Sequence, residues 1–178
     1  MWFKYPIIIL SFFIAALLQV SFVSYFNIMG LVPNLIFILF FILFFFSKKE
    51  ESFFISLIAG FFLDIISPSY LLFSRQIFGI SVIALSLVYF FQKLIIYFFK
   101  KDDSKYLIFY FLPLFSLNFI LYNAILYLFS IIFGFGFNIG VNLIISLIYN
   151  LIFASIGFYI YKIFVKKDRN ENQLKLFS

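Results

Sequence analysis

The sequence predicts an all-α, polytopic membrane helix bundle of about six transmembrane helices, with both termini on the cytoplasmic side. Three observations carry that prediction. Hydrophobic residues fill 66% of the 178 positions and charged residues only 11%, too little polar surface for a soluble domain of this size. The apolar residues fall into six runs, most near the ~20 residues that a roughly 30 Å hydrocarbon core requires. The basic residues collect at the ends of those runs: Lys4, the Lys48–Lys49 pair, Lys93, the cluster at 100–105 and the tail fall on one side, and only Arg75 falls on the other.

The same counts exclude whole classes of function. The net charge of +6 is distributed as a topological signal and not as a nucleic-acid patch. With no cysteine and no histidine there is no thiol nucleophile, disulfide, Cys/His metal site or imidazole relay. No Gly-rich phosphate loop, Walker-type lysine or pair of carboxylates within one helix is present, so the sequence offers no catalytic or cofactor-binding constellation.

The first apolar run, Pro6 to Phe26, is too long for a signal-peptide core and lacks an A-x-A cleavage site, so it is expected to remain as the first helix. Ser11, Ala15 and Gln19 repeat along it at intervals of four. Asn27, Gly30 and Pro33 mark an uncharged turn, and Leu31 to Phe46 forms a second, short helix with Pro33 in its first turn. Lys48, Lys49, Glu50 and Glu51 make a charged turn into the third helix, which ends near Ile66 because Ser67 and Pro68 do not continue it.

The loop SPSYLLFSR then leads through Arg75 to a fourth helix from about Gln76 to Phe91. KKDDSK, at 100–105, is a solvated turn, and the fifth helix runs from about Tyr106 to Ile132 with a kink expected at Pro113. Gly134 and Gly136 form a loop before the last helix, about Asn138 to Tyr161. Residues 1–165 therefore read as the transmembrane bundle and 166–178 as a polar, mobile cytoplasmic tail that can also meet anionic membrane lipids.

The third helix carries the most information and is expected to be central to the bundle. Ser52, Ser56, Gly60 and Asp64 recur every four residues, a spacing that advances only about 40° around a helix and so draws them into one slanting stripe. Small residues on a membrane helix let a second backbone approach, and a carboxylate there faces protein and not lipid. Asp64 lies about 18 Å along the axis from Ser52, past the midplane toward the outer face. An ionised carboxylate at that depth requires a partner, a water-filled cleft or a proton.

Arg75 is the nearest cation in sequence, with Asn and Gln side chains of other helices as the remaining candidates. Two roles stay open for Asp64, pinning the helix end to its loop or structuring a face for a partner; proton transport lacks a second intramembrane acid. The last helix repeats the pattern with Asn142, Ser146, Asn150 and Ala154, a polar face suited to hydrogen bonding across the bundle for about 0.6 to 2 kcal/mol each, or to lining a small-molecule pocket.

The order of these features resembles the MreD family of rod shape-determining membrane proteins. The resemblance covers roughly residues 1 to 165 and rests on Pro33-Asn34-Leu35 opening the second helix, the charged turn, Ala59-Gly60-Phe61-Phe62-Leu63-Asp64, and a Ser/Pro-containing loop. It implies a non-enzymatic scaffold of the cell-elongation machinery in the bacterial inner membrane. Such a scaffold associates with the bitopic protein MreC and connects the actin-like filament MreB to the transpeptidase and glycosyltransferase of peptidoglycan synthesis. It also implies a fold like the S components of energy-coupling-factor transporters. The alternative function is such a substrate-binding S component itself, with Asn118, Asn123, Asn142 and Asn150 as lining candidates.

Overall fold

The computed structural model describes residues 4–21, 23–27, 31–47, 49–66, 78–98, 107–134 and 141–174. Six α-helices form among them: α1 Lys4–Ser21, α2 Leu35–Phe46, α3 Lys49–Ile66, α4 Ile80–Phe98, α5 Leu107–Phe133 and α6 Val141–Leu174. A 3-10 turn, Val23–Phe26, follows α1, and no strand element is present among the described residues. The stretches Tyr110–Phe133 of α5 and Leu143–Ile163 of α6 are long and apolar enough to cross a membrane, while α1, α2 and α4 contain shorter apolar helices.

The helix surrounded by all the others is α2, and not α3 as the stripe had suggested. Its sequence LIFILFFILFFF is apolar on every side, the pattern of a helix buried all round, and eight of its residues are buried. Phe37 meets Phe115, Phe119 and Tyr122 of α5, with ring centroids 5.3 to 5.7 Å apart. Phe44 meets Tyr89 of α4 at 5.9 Å, and Phe46 stacks on Tyr161 of α6 at 4.5 Å. α1 and α3 pack on the remaining sides. With a slanting stripe and an opposite apolar face, α3 belongs instead at the flank, against α1, α2 and α4.

Several boundaries differ from the sequence expectation for local reasons. α2 begins at Leu35 because Asn34 caps it, its Oδ1 accepting from Phe37 N at 3.0 Å, so Pro33 precedes the helix and does not lie in its first turn. α4 begins at Ile80 behind Gly79, whose φ of 100° is a left-handed conformation that glycine adopts without strain. α6 continues 34 residues to Leu174, through the segment expected to be mobile. No proline or glycine follows Gly157 there, and a helix already nucleated propagates at little cost. Pro113 sits inside α5 and removes one intrahelical donor.

The outward faces are apolar. Ile144, Ile148, Ile152 and Ile156 of α6, one turn apart, are each more than half exposed, as are Leu10, Leu17 and Val20 of α1. The polar side chains Gln19, Ser52, Ser56, Ser81, Gln92, Asn118, Ser130 and Asn150 are buried instead.

Candidate functional site

The Gly60–Asp64 end of the stripe on α3 is a surface on which the start of α4 lies. Ser56 is fully buried and turns its hydroxyl back to the Phe53 carbonyl at 2.7 Å, which leaves its face smooth. Ser52 is buried too, and its hydroxyl shares a 2.6 Å bond with that of Ser47 at the end of α2. Gly60 sits directly under the first turn of α4. A Cβ at that position would lie 2.4 Å from Val82 Cα, 2.8 Å from Val82 N and 3.0 Å from the Ser81 carbonyl carbon. Only a residue without a side chain admits this approach.

One turn further, the half-buried Asp64 reaches across to the start of α4. Its Oδ2 accepts from Gly79 N at 2.9 Å and from Val82 N at 3.4 Å, and its Oδ1 accepts from Ser81 N at 2.9 Å. The first N–H groups of a helix have no intrahelical acceptor and carry the positive end of its dipole. Asp64 therefore acts as an N-cap supplied by a neighbouring helix, and backbone amides surround the carboxylate where the sequence suggested a cation. Arg75, the sequence candidate for that partner, lies outside the described residues. The cluster extends to α5, where the Tyr122 hydroxyl donates to Ser81 Oγ at 3.3 Å.

A second polar cluster holds the lead-in to α2. Gln19 of α1 donates from Nε2 to the Pro33 carbonyl at 2.9 Å and accepts at Oε1 from Leu35 N at 2.6 Å. From the other side, Asn150 of α6 accepts at Oδ1 from Asn34 N at 2.7 Å. Its Nδ2 donates to the Ser146 carbonyl at 2.8 Å and to Ser146 Oγ at 3.3 Å, which fixes the amide's orientation. Pro33-Asn34 is non-helical backbone leading into Leu35 within an apolar bundle, and these bonds satisfy polar groups that apolar neighbours cannot.

The two sequence-predicted stripes therefore meet different partners: Gly60 and Asp64 receive α4, whereas Asn150, bonded to Ser146 one turn before it, holds the lead-in to α2. Asn142 lies in the first turn of α6, and its side chain is outside the described residues. Sequence reasoning missed the bidentate grip of Gln19 on the α2 lead-in. The signal was an amide in an apolar run sixteen residues before an unpaired Leu35 amide, but the pairing needs the fold to bring them together.

Among the described residues, three of the asparagines weighed as pocket lining bond within the fold. Asn118 and Asn123 each donate to the carbonyl four residues earlier on α5, at 2.6 and 2.8 Å, and Asn150 is committed to α2. A groove of about 410 Å³ between α5 and α6 is lined by Leu112, Pro113, Ser116, Ile148, Leu151, Ile152 and Ser155, none of them an asparagine. The hydroxyls of Ser116 and Ser155 turn back onto their own helices, so the groove presents an apolar wall.

Set against family models, curated proteins and solved structures, the chain has no match in any of the three.

Proposed function

We propose that the chain is a multi-pass inner-membrane protein whose six helices form one bundle with both termini in the cytoplasm, and that it is a non-enzymatic scaffold of the cell-elongation machinery, in the manner of the MreD family. The membrane part of this reading is supported by an inverted surface: apolar side chains face outward and many polar ones are buried and mostly bonded to backbone groups. In this topology α1, α3 and α5 run outward, and α2, α4 and α6 return. Both polar clusters then lie in the outer half, one at the start of each of the first two returning helices.

The observation that carries the scaffold reading is the use made of the two segments behind the MreD resemblance. Pro33-Asn34-Leu35 and Gly60 with Asp64 are places, among the described residues, where side chains of one helix fix the backbone entry of another. A protein built to hold its outer ends rigid, with its asparagines engaged internally, suits presenting a fixed surface to a bitopic partner such as MreC. Through that partner it would link the MreB filament to the wall-synthesis transpeptidase and glycosyltransferase.

The test is a pull-down of the tagged protein from its own membranes in mild detergent, with co-purifying proteins identified by mass spectrometry. Recovery of an MreC-like bitopic protein with wall-synthesis enzymes is the expected result. Recovery of paired ATPases with a large coupling membrane protein overturns it in favour of a vitamin-transporter S component.

A further inference from the structure

Gln92 of α4 is fully buried, and neither its amide oxygen nor its amide nitrogen has a protein partner. Asn118 of α5, 1% exposed, uses Nδ2 on the Leu114 carbonyl and leaves Oδ1 without one. The two helices that carry them pack against each other. The bond from Tyr122 to Ser81 sets the register of these antiparallel helices. Stepping inward from it, the buried positions of α4 are Ala84, Leu85, Val88, Tyr89 and Gln92, and those of α5 are Phe119, Asn118, Phe115 and Phe111. At a rise of about 1.5 Å per residue, Asn118 lies about 6 Å and Gln92 about 16 Å inward of Ser81.

A buried amide without partners is strongly disfavoured, and leucine at either position would pack with no such cost. Elsewhere in the bundle the buried amides Gln19 and Asn150 are bonded at both ends. The outer end of α4 is fastened to α3 by Gly60 and Asp64, whereas Gln92, toward its inner end, has no protein partner for either amide atom. Exposed Lys93, the next residue along α4, marks this as the wet end.

We infer that the inner part of the α4–α5 seam is a water-binding site, in which water entering from the Lys93 end hydrates the buried Gln92 amide. Buried water commonly serves polar groups that the protein leaves unpaired, making two to four bonds each. The site rests on the membrane placement of α4 and not on the identity of any partner.

The absence of native cysteine makes the test direct. Single variants Gln92→Cys, Val88→Cys, Leu87→Cys, Ile83→Cys and Lys93→Cys are treated in membranes with a charged, water-soluble methanethiosulfonate. Val88→Cys keeps the native glutamine, and Leu87 and Ile83 are the outward-facing controls. Gln92→Cys and Val88→Cys are expected to label at least ten-fold faster than Leu87→Cys and Ile83→Cys. Labelling of both seam positions no faster than the controls overturns the water site. Labelling of Leu87→Cys and Ile83→Cys as fast as Lys93→Cys overturns the membrane placement of α4, and the seam site with it.

Discussion

Replacing Gly60 by alanine tests the packing of α4 on α3 at a single carbon. The added methyl would stand 2.4 Å from Val82 Cα and 2.8 Å from Val82 N, against the roughly 3.5 to 4.0 Å of an ordinary carbon contact. The obstructing atoms are backbone, so no rotamer change relieves the clash, and the first turn of α4 must retreat by more than about 1 Å. That retreat stretches the 2.9 Å bonds from Gly79 N and Ser81 N to Asp64 beyond hydrogen-bonding range. Overpacking costs about 1 to 3 kcal/mol and a lost N-cap about 0.5 to 2, so a destabilisation near 3 kcal/mol is expected.

The assay is unfolding in mixed detergent micelles, comparing Gly60→Ala with the parent and with Gly60→Ala/Val82→Ala. The second change removes only side-chain atoms beyond Cβ and should restore nothing. Parent-like stability of Gly60→Ala, or rescue by Val82→Ala, would refute the backbone-contact argument.

Gly157→Ala supplies the contrast, because its Cβ would crowd the Ile42 Cδ1 at 2.7 Å, a flexible side-chain end, and meet Ile38 Cγ2 at an ordinary 3.8 Å; a milder loss of about 1 kcal/mol, recovered by Ile42→Val, is expected in the same assay. Asp64→Asn keeps one acceptor oxygen and should cost less than Asp64→Leu, which leaves the amides of Gly79, Ser81 and Val82 without an acceptor; about 1 to 3 kcal/mol separates them on charge-assisted hydrogen-bond values, read as unfolding midpoints. In the pull-down, Asp64→Leu should reduce partner recovery more than it reduces the amount of protein in the membrane; equal recovery by variant and parent would refute the scaffold role of this face. Asn150→Leu strands the Asn34 amide and should destabilise by about 1 to 3 kcal/mol, whereas Asn123→Leu, whose amide bonds only its own helix, should change the midpoint little.

What the sequence made legible follows from periodicity and solvent. Six helices, their order and the slanting stripes of α3 and α6 are properties of residues a few positions apart, and local geometry converts that spacing into faces. The importance of Asp64 was legible for the same reason, since a carboxylate in an apolar run must be accounted for. Its partner was not. Charge matching favoured Arg75, but three backbone amides at a helix start satisfy the same oxygens, and an amide donor carries no mark in the sequence.

The identity of the core helix shows the same division. LIFILFFILFFF states by composition that no side of α2 faces water, yet it reads the same whether the surroundings are lipid or protein. Only the tertiary structure, by laying α1, α3, α5 and α6 around it, decided that α2 is the hub and α3 a flank. Likewise Gln19, Asn34 and Asn150 were visible as polar residues in apolar runs, but their convergence joins positions 116 residues apart. By itself the sequence determined which residues are polar within apolar runs; which of them face one another depended on how the other five helices close around α2, because hydrogen bonds across a bundle are set by packing and not by spacing along the chain.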